Sequence, residues 1–176
     1  MNKKIFLQPK KTENKKEFTK GIGKIILCSK CKAVYYNKCW HKNLNFLKGK
    51  NTTKSIKKFL CPACKWTKTN LAEGVIILNL ENNFREKEIL NLENNFREKE
   101  ILNLVKNVET RAKLRDPEDR IIKINKEKNK ITILTTENQL AISIAKQIQR
   151  AFKGELKIKW SHNEDAVRIE WRENIK

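Results

Sequence analysis

The first seventy residues contain no arginine and only two acids, Glu13 and Glu17, against nineteen lysines. Glycine is scarce, five in 176 residues, and none of it forms a glycine-rich phosphate loop. Histidine occurs only at 41 and 162. No serine, cysteine or carboxylate set has a plausible base partner nearby, so the residues for acid/base or nucleophilic catalysis are missing. No apolar run approaches the roughly 18 residues of a membrane span. The apolar stretch near the start, Ile5-Phe6-Leu7, is too short for a signal-peptide core. These absences lead to the expectation of a cytoplasmic protein that is not an enzyme.

What is present is sharply divided. The formal charge of the whole chain is +20. The residues after position 70 hold 21 basic and 18 acidic groups, so the charge lies almost entirely in the head. Coding bias toward lysine, asparagine and isoleucine would act along the whole chain. It does not explain why acids are rare only before residue 70. A lysine-rich surface is the electrostatic footprint of a phosphate-backbone binder. Without arginine, the commonest bidentate contact to guanine is missing, so such a head reads backbone and shape, not base sequence.

Four of the five cysteines form two tight pairs, Cys28-x-x-Cys31 and Cys61-x-x-Cys64. A two-residue gap lets two thiolates on one turn reach a single ion at about 2.3 Å, and two such knuckles complete a tetrahedral four-sulfur site. A redox pair of the thioredoxin type needs a neighbouring βαβ pattern, which is absent. The expected cofactor is therefore structural Zn2+ held by Cys28, Cys31, Cys61 and Cys64. Cys39 and His41, lying between the knuckles, are the alternative ligands, or would serve a second metal. Four protein ligands leave no open position for catalysis.

Lysines and aromatic rings interleave around the knuckles. Lys24, Lys30, Lys32, Lys38, Lys42, Lys57, Lys58 and Lys65 are the candidate phosphate contacts. Tyr36 and His41 are the candidate base-stacking rings. Tyr35, Trp40, Phe46, Phe59 and Trp66 are expected to form the small core of the ribbon.

The chain divides into a basic tail (1–23) with little to bury, a zinc ribbon (24–70) with a polar loop at 48–54, and a third segment (71–176). The third segment contains a perfect tandem repeat. Residues 77–88 recur at 89–100, and Ile101-Leu102-Asn103-Leu104 begins a third copy. Twelve residues rotate a helix by about 1200°, so identical copies on one straight helix cannot show one face to one core. The expectation is that the extra dozen lengthen a helix or bulge near Asn94-Asn95. The helix then runs to a stop at Asp116-Pro117. Arg120–Asn125 and Lys130–Thr135 read as a hairpin. Thr136-x-x-Gln139 reads as a capping box for a helix with Leu140, Ile144, Ile148 and Phe152 on one face, ended by Gly154. Two alternating strands follow, with Leu156, Ile158 and Trp160 on one side of the first and Val167, Ile169 and Trp171 on one side of the second. Their turn is Ser161–Asp165, and His162 within it is read as solvated. Lys157, Lys159, Arg168 and Arg172, with Glu155 and Glu170 among them, form a weak basic strip. A short strand at Val75–Leu78 precedes the whole. The fold class is α+β: an N-terminal zinc ribbon followed by a small antiparallel-sheet domain with helices on one face.

Several of these stretches resemble a group of small, largely uncharacterised bacterial zinc-ribbon proteins. They are Cys28-Ser-Lys-Cys31 with Ala33-Val-Tyr-Tyr36 and Trp40, Cys61-Pro-Ala-Cys64, and Glu100–Glu109. Further along come Asp116–Ile121, Thr135-Thr136 with Leu140-Ala141, Lys153–Leu156 and Arg168–Trp171. More remotely the chain is similar to the amino-terminal zinc region of the large-ribosomal-subunit nuclear export adaptor, the family first named from nonsense-mediated decay. The resemblance implies a zinc-dependent, non-catalytic, ribosome-associated factor. With the charge pattern, it leads to the expectation of an RNA binder whose partner is ribosomal RNA or a ribosomal subunit, and whose α+β domain docks a protein. The alternative is a zinc-stabilised protein–protein adaptor that does not touch nucleic acid.

Overall fold

The computed structural model describes residues 25–42, 45, 56–80, 89–127, 129–161 and 166–174, with side chains for all of these except 89–95. The basic tail, Lys24, Phe46, the 48–54 loop, residues 81–88 and His162 lie outside the described residues.

The ribbon is a four-stranded sheet of β1 (Ile25–Cys28), β2 (Val34–Tyr36), β3 (Cys39–His41) and β4 (Ile56–Phe59), in the order β3-β2-β1-β4. The hairpin ladders are antiparallel, whereas β4 pairs parallel to β1, Cys28 opposite Phe59. Helix α1 (Pro62–Thr69) follows, with Pro62 in its first turn, where the missing amide costs nothing.

The second sheet holds β5 (Gly74–Asn79), β6 (Ile121–Glu127), β7 (Lys130–Thr135), β8 (Gly154–Trp160) and β9 (Val167–Glu173), in the order β6-β7-β5-β9-β8. Helix α2 (Ile89–Arg115) joins β5 to β6, and α3 (Asn138–Phe152) joins β7 to β8. The core forms where one face of this sheet meets both helices. Ile76, Leu78, Ile131, Ile133, Val167, Ile169 and Trp171 meet Ile101, Val105, Val108 and Ala112 of α2, and Leu140, Ile144 and Ile148 of α3. The three- and four-residue spacing on the helices and two-residue spacing on the strands create these faces. Each fully buried large aliphatic contributes about 1.5–3 kcal/mol.

The α+β class, the ribbon and the helices on one face are as the sequence predicts, but the larger sheet is not wholly antiparallel. The short strand expected at Val75–Leu78 is its centre, antiparallel to β7 and parallel to β9. The second strand of the C-terminal hairpin, not the first, sits against β5, which reverses the sense of that pair. β5 is buried from Gly74 to Leu78, the signature of a central strand covered on both faces.

Three local expectations are corrected. Thr136 does not cap α3, whose N-cap is Glu137 without a side-chain cap bond. The Thr136 hydroxyl instead donates to the Glu118 carbonyl at 2.6 Å and accepts from the Arg120 amide at 2.9 Å. Gly154 does not supply the left-handed turn after α3; Lys153 does, at φ 50°. Gly154 opens β8, and a Cβ there would lie 2.3 Å from the Trp171 indole. Trp160 continues the alternation of β8 in sequence but is half exposed at the strand end.

The second repeat copy is helical throughout, so the extra dozen lengthen α2 and do not bulge at Asn94-Asn95. A helix of 27 residues spans about 40 Å, whereas strands of six or seven residues span about 20–24 Å. The N-terminal turns of α2 therefore overhang the sheet. Arg97 pairs with Glu173 of β9 and Glu98 with Lys126 of β6, which fixes the helix where it reaches the sheet end.

Candidate metal centre

The first knuckle turns tightly after β1. The Cys28 amide donates to the Ala33 carbonyl at 2.7 Å, and the Lys32 amide donates to the Cys28 carbonyl at 3.1 Å. Lys32 takes the left-handed conformation that closes this turn, φ 64°. The second knuckle is the start of α1, with Cys61 at the N-cap and Cys64 in the first turn. The two knuckles are laced together. Ser29 N–H donates to the Phe59 carbonyl at 3.0 Å, and Cys61 N–H to Cys28 Sγ at 3.4 Å.

This lacing gathers the four predicted ligands. The Sγ atoms of Cys28, Cys31, Cys61 and Cys64 all lie within 4.8 Å of one another. Cys31 and Cys61 approach to 3.6 Å, and no disulfide joins them. Four sulfurs around one ion at about 2.3 Å would sit ~3.8 Å apart at tetrahedral corners, so the cluster is already near that geometry. Cys28, Cys61 and Cys64 are buried and Cys31 half-buried, as a closed site requires. Cys39 is exposed and outside the cluster. His41 is outside it too; its Nε2 lies 3.3 Å from the Tyr36 carbonyl.

The electrostatics favour a thiolate at Cys31. The Cys31 thiol is pushed down to about 3, chiefly by the hydrogen bond from Cys61. Its partner Cys61 is pushed up by the same bond, since the pair shares one proton. Burial pushes Cys64 up. The positive end of α1 lies under Cys61 and Cys64 and favours their ionised forms.

Arg120, which immediately precedes β6 and which sequence reasoning did not connect with the metal, reaches the cluster from the second sheet. Its Nη1 donates to Cys64 Sγ at 3.3 Å. Its Nε donates to the Pro117 carbonyl at 2.7 Å, which aims the guanidinium. Burial opposes the charge of Arg120, but Cys31, Cys61 and Cys64 more than offset this and hold its pKa above the usual arginine value. A four-thiolate site would carry net −2 around a divalent ion, and the half-buried Arg120 guanidinium is a fitting counter-charge. The sequence signal was available in principle: Asp116-Pro117 fixes a turn, and Arg120 follows it.

The candidate phosphate contacts are not gathered on one face. Lys30 and Lys32 lie exposed on the first knuckle, and the Lys32 ammonium donates to the Ser29 carbonyl at 3.1 Å. Lys38 and Lys42 are at the β3 edge, Lys57 and Lys58 on β4 at the opposite edge, and Lys65 half-buried on α1. As strand neighbours, Lys57 and Lys58 point to opposite sides. Of the candidate stacking rings, Tyr36 is half-buried against Ile25 and Val34, and His41 is half-buried. Trp40 and Trp66 are buried, and Tyr35 packs on Trp40 with ring centres 5.3 Å apart, as a ribbon core requires. Phe59 departs from that core and is 54% exposed.

No protein-family model matches the chain, and no curated protein matches it.

Proposed function

We propose that the protein is a non-catalytic zinc protein that grips RNA by its phosphate backbone, with ribosomal RNA or a ribosomal subunit as its target. Zinc is the ion that four soft thiolates in a near-tetrahedral set suit best. A four-coordinate ion so enclosed is a structural staple. The observation that carries the RNA reading is the charge division: nineteen lysines against two acids in the segment built around that staple. Lysines at both edges of the ribbon suit an irregular surface dense in phosphate, such as folded RNA, better than a straight duplex.

The test is binding of zinc-loaded protein to a ribosomal RNA fragment across a salt series. With four phosphate contacts, a slope of about 0.7 per contact predicts a loss of roughly 50-fold between 50 and 200 mM salt. A flat response would refute the reading. Pull-down from lysate with and without nuclease then identifies the RNA.

The adaptor alternative draws on one observation. Ile56 and Phe59 are 49% and 54% exposed on β4, at the edge of the ribbon sheet. An apolar edge strand is a place for another chain to add a strand. That reading predicts a partner that survives nuclease and moderate salt.

A further inference from the structure

We propose that the groove between α2 and α3 is a second phosphate-binding surface, which takes a nucleic-acid strand that also contacts the ribbon. This rests on the RNA reading above and extends it to the other domain.

The groove has a volume of about 600 Å³, and its lining includes Arg111, Lys146, Arg150, Ser143, Gln147 and Leu104, with no carboxylate. α3 has no acidic residue along its whole length, Asn138–Phe152. Arg111, Lys146 and Arg150 are all exposed. Arg111 reaches across from α2 and donates to Gln147 Oε1 at 2.9 Å, a neutral partner that orients the guanidinium without cancelling its charge. Lys146 and Arg150 are four residues apart, so their stems rise about 6 Å along one helix face. That is the scale of the separation between successive phosphates of a strand. Ser143 adds a hydroxyl one turn earlier. The wall therefore carries a row of donors beside Leu104 and Ala151. A phosphate backbone needs such a row of cationic donors, unopposed by any carboxylate in the lining.

The position supports one continuous track. Arg111 lies one turn before the end of α2, and Arg120, in contact with Cys64, follows five residues beyond that end. Along α2, Arg111 is therefore nearer than Leu104 to the residue that touches the cysteine cluster. The basic strip on the C-terminal hairpin, by contrast, compensates itself. Lys157 stands opposite Glu170 and Glu155 opposite Arg172. Glu155 also pairs with Lys157 at 3.0 Å, and Arg168 with Glu170 at 3.4 Å.

The experiment uses the full zinc-loaded chain and a fluorescein-labelled oligouridylate, titrated across a salt series. Three proteins are compared: wild type, the groove variant Arg111→Gln/Lys146→Gln/Arg150→Gln, and the ribbon variant Lys57→Gln/Lys58→Gln. Circular dichroism checks folding. The milder Lys146→Gln/Arg150→Gln, which keeps the Arg111–Gln147 bond, replaces the triple variant if that one is unstable. The expected result is at least a tenfold weaker affinity for the groove variant and a salt slope reduced by about 2, or about 0.7 for each phosphate contact removed. If the groove variant matches wild type while the ribbon variant loses affinity, the groove inference is overturned and the RNA reading stands. If wild type binds polyglutamate through the groove but not the oligouridylate, an acidic polypeptide is the occupant and the inference fails. If wild type binds neither this RNA nor ribosomal RNA, both readings fall together.

Discussion

Arg120 donates a hydrogen bond from Nη1 to Cys64 Sγ across 3.3 Å, so a residue just before the outer strand of one sheet reaches the cysteine cluster beside the other. The contact joins two elements 56 residues apart in the chain. The ribbon and the α+β domain are therefore not linked only by the peptide that connects α1 to β5.

Replacing Arg120 by Ala should weaken metal retention by about 10–100-fold, the usual effect of removing an outer partner of a metal ligand. Arg120→Lys, which keeps the charge but loses the aimed fork, should fall between wild type and Ala. Competition against a chromogenic chelator measures both. Unchanged retention in Arg120→Ala would mean that the guanidinium only fills space.

Chelation should separate the two cores. Hydrogen exchange is expected to show residues 25–42 and 56–69 losing protection once the metal is removed. The central strands β5, β7 and β9 should keep theirs, because their protection comes from the apolar core they share with α2 and α3. Simultaneous loss in both regions would show that the contact through Arg120 carries the stability of the second domain.

Gly154→Ala tests the seat of Trp171. The added methyl would lie 2.3 Å from the fully buried indole, which cannot swing away without disturbing the core. Overpacking of this kind costs about 1–3 kcal/mol. Urea unfolding measures it, and a variant as stable as wild type would show that the β8 backbone has room to shift.

Removing residues 89–100 should leave the domain folded, with a melting temperature within about 4 °C of wild type, which is about 1 kcal/mol for a chain of this size. The deletion brings Arg85 and Glu86, identical in local sequence, to the places of Arg97 and Glu98. Four residues then separate Arg85 from Leu80, a length common for a strand-to-helix connection. What is lost is chiefly the overhang.

The pH dependence of stability should carry a contribution from Asp119. Burial, with Asp116 and Glu137 nearby, raises its pKa from 3.8 to about 6 despite Arg115. The folded state then holds this proton more tightly than the unfolded chain does. The resulting stability is full below about pH 4 and lost as pH rises through about 6. Asp119→Asn should flatten that segment of the curve, as read from urea midpoints between pH 4 and 7.

The cysteine cluster was legible because tetrahedral coordination dictates spacing, and two cysteines on one turn are a local pattern. The stop of α2 at Arg115 was legible for the same reason, since the Asp116-Pro117 turn is written in neighbouring residues. Features set by distant partners were not. Ile-Leu-Asn occurs three times: at 77–79 it is strand, and at 89–91 and 101–103 it is helix. Propensity is the same in each, so the neighbours decide. Flanked by β7 and β9, the first copy extends; on the end of α2, the others coil. Thr136 likewise matched a cap pattern, but Arg120 and Glu118 claimed its hydroxyl first. The exposure of Phe59 follows from its strand lying at a sheet edge, a fact of topology that aromatic content does not encode.

The parallel ladder between β5 and β9 has a consequence in time. Its partners, Gly74 with Val167 through Asn79 with Arg172, are about ninety residues apart, and β5 has no other neighbour on that side. While the chain emerges from the ribosome, the middle of the larger sheet stays half-made until residue 173 has been translated and released. Long-range pairing of this kind is slow to nucleate. A product stopped before residue 167 would leave the innermost strand with an open flank, exposed to intermolecular pairing.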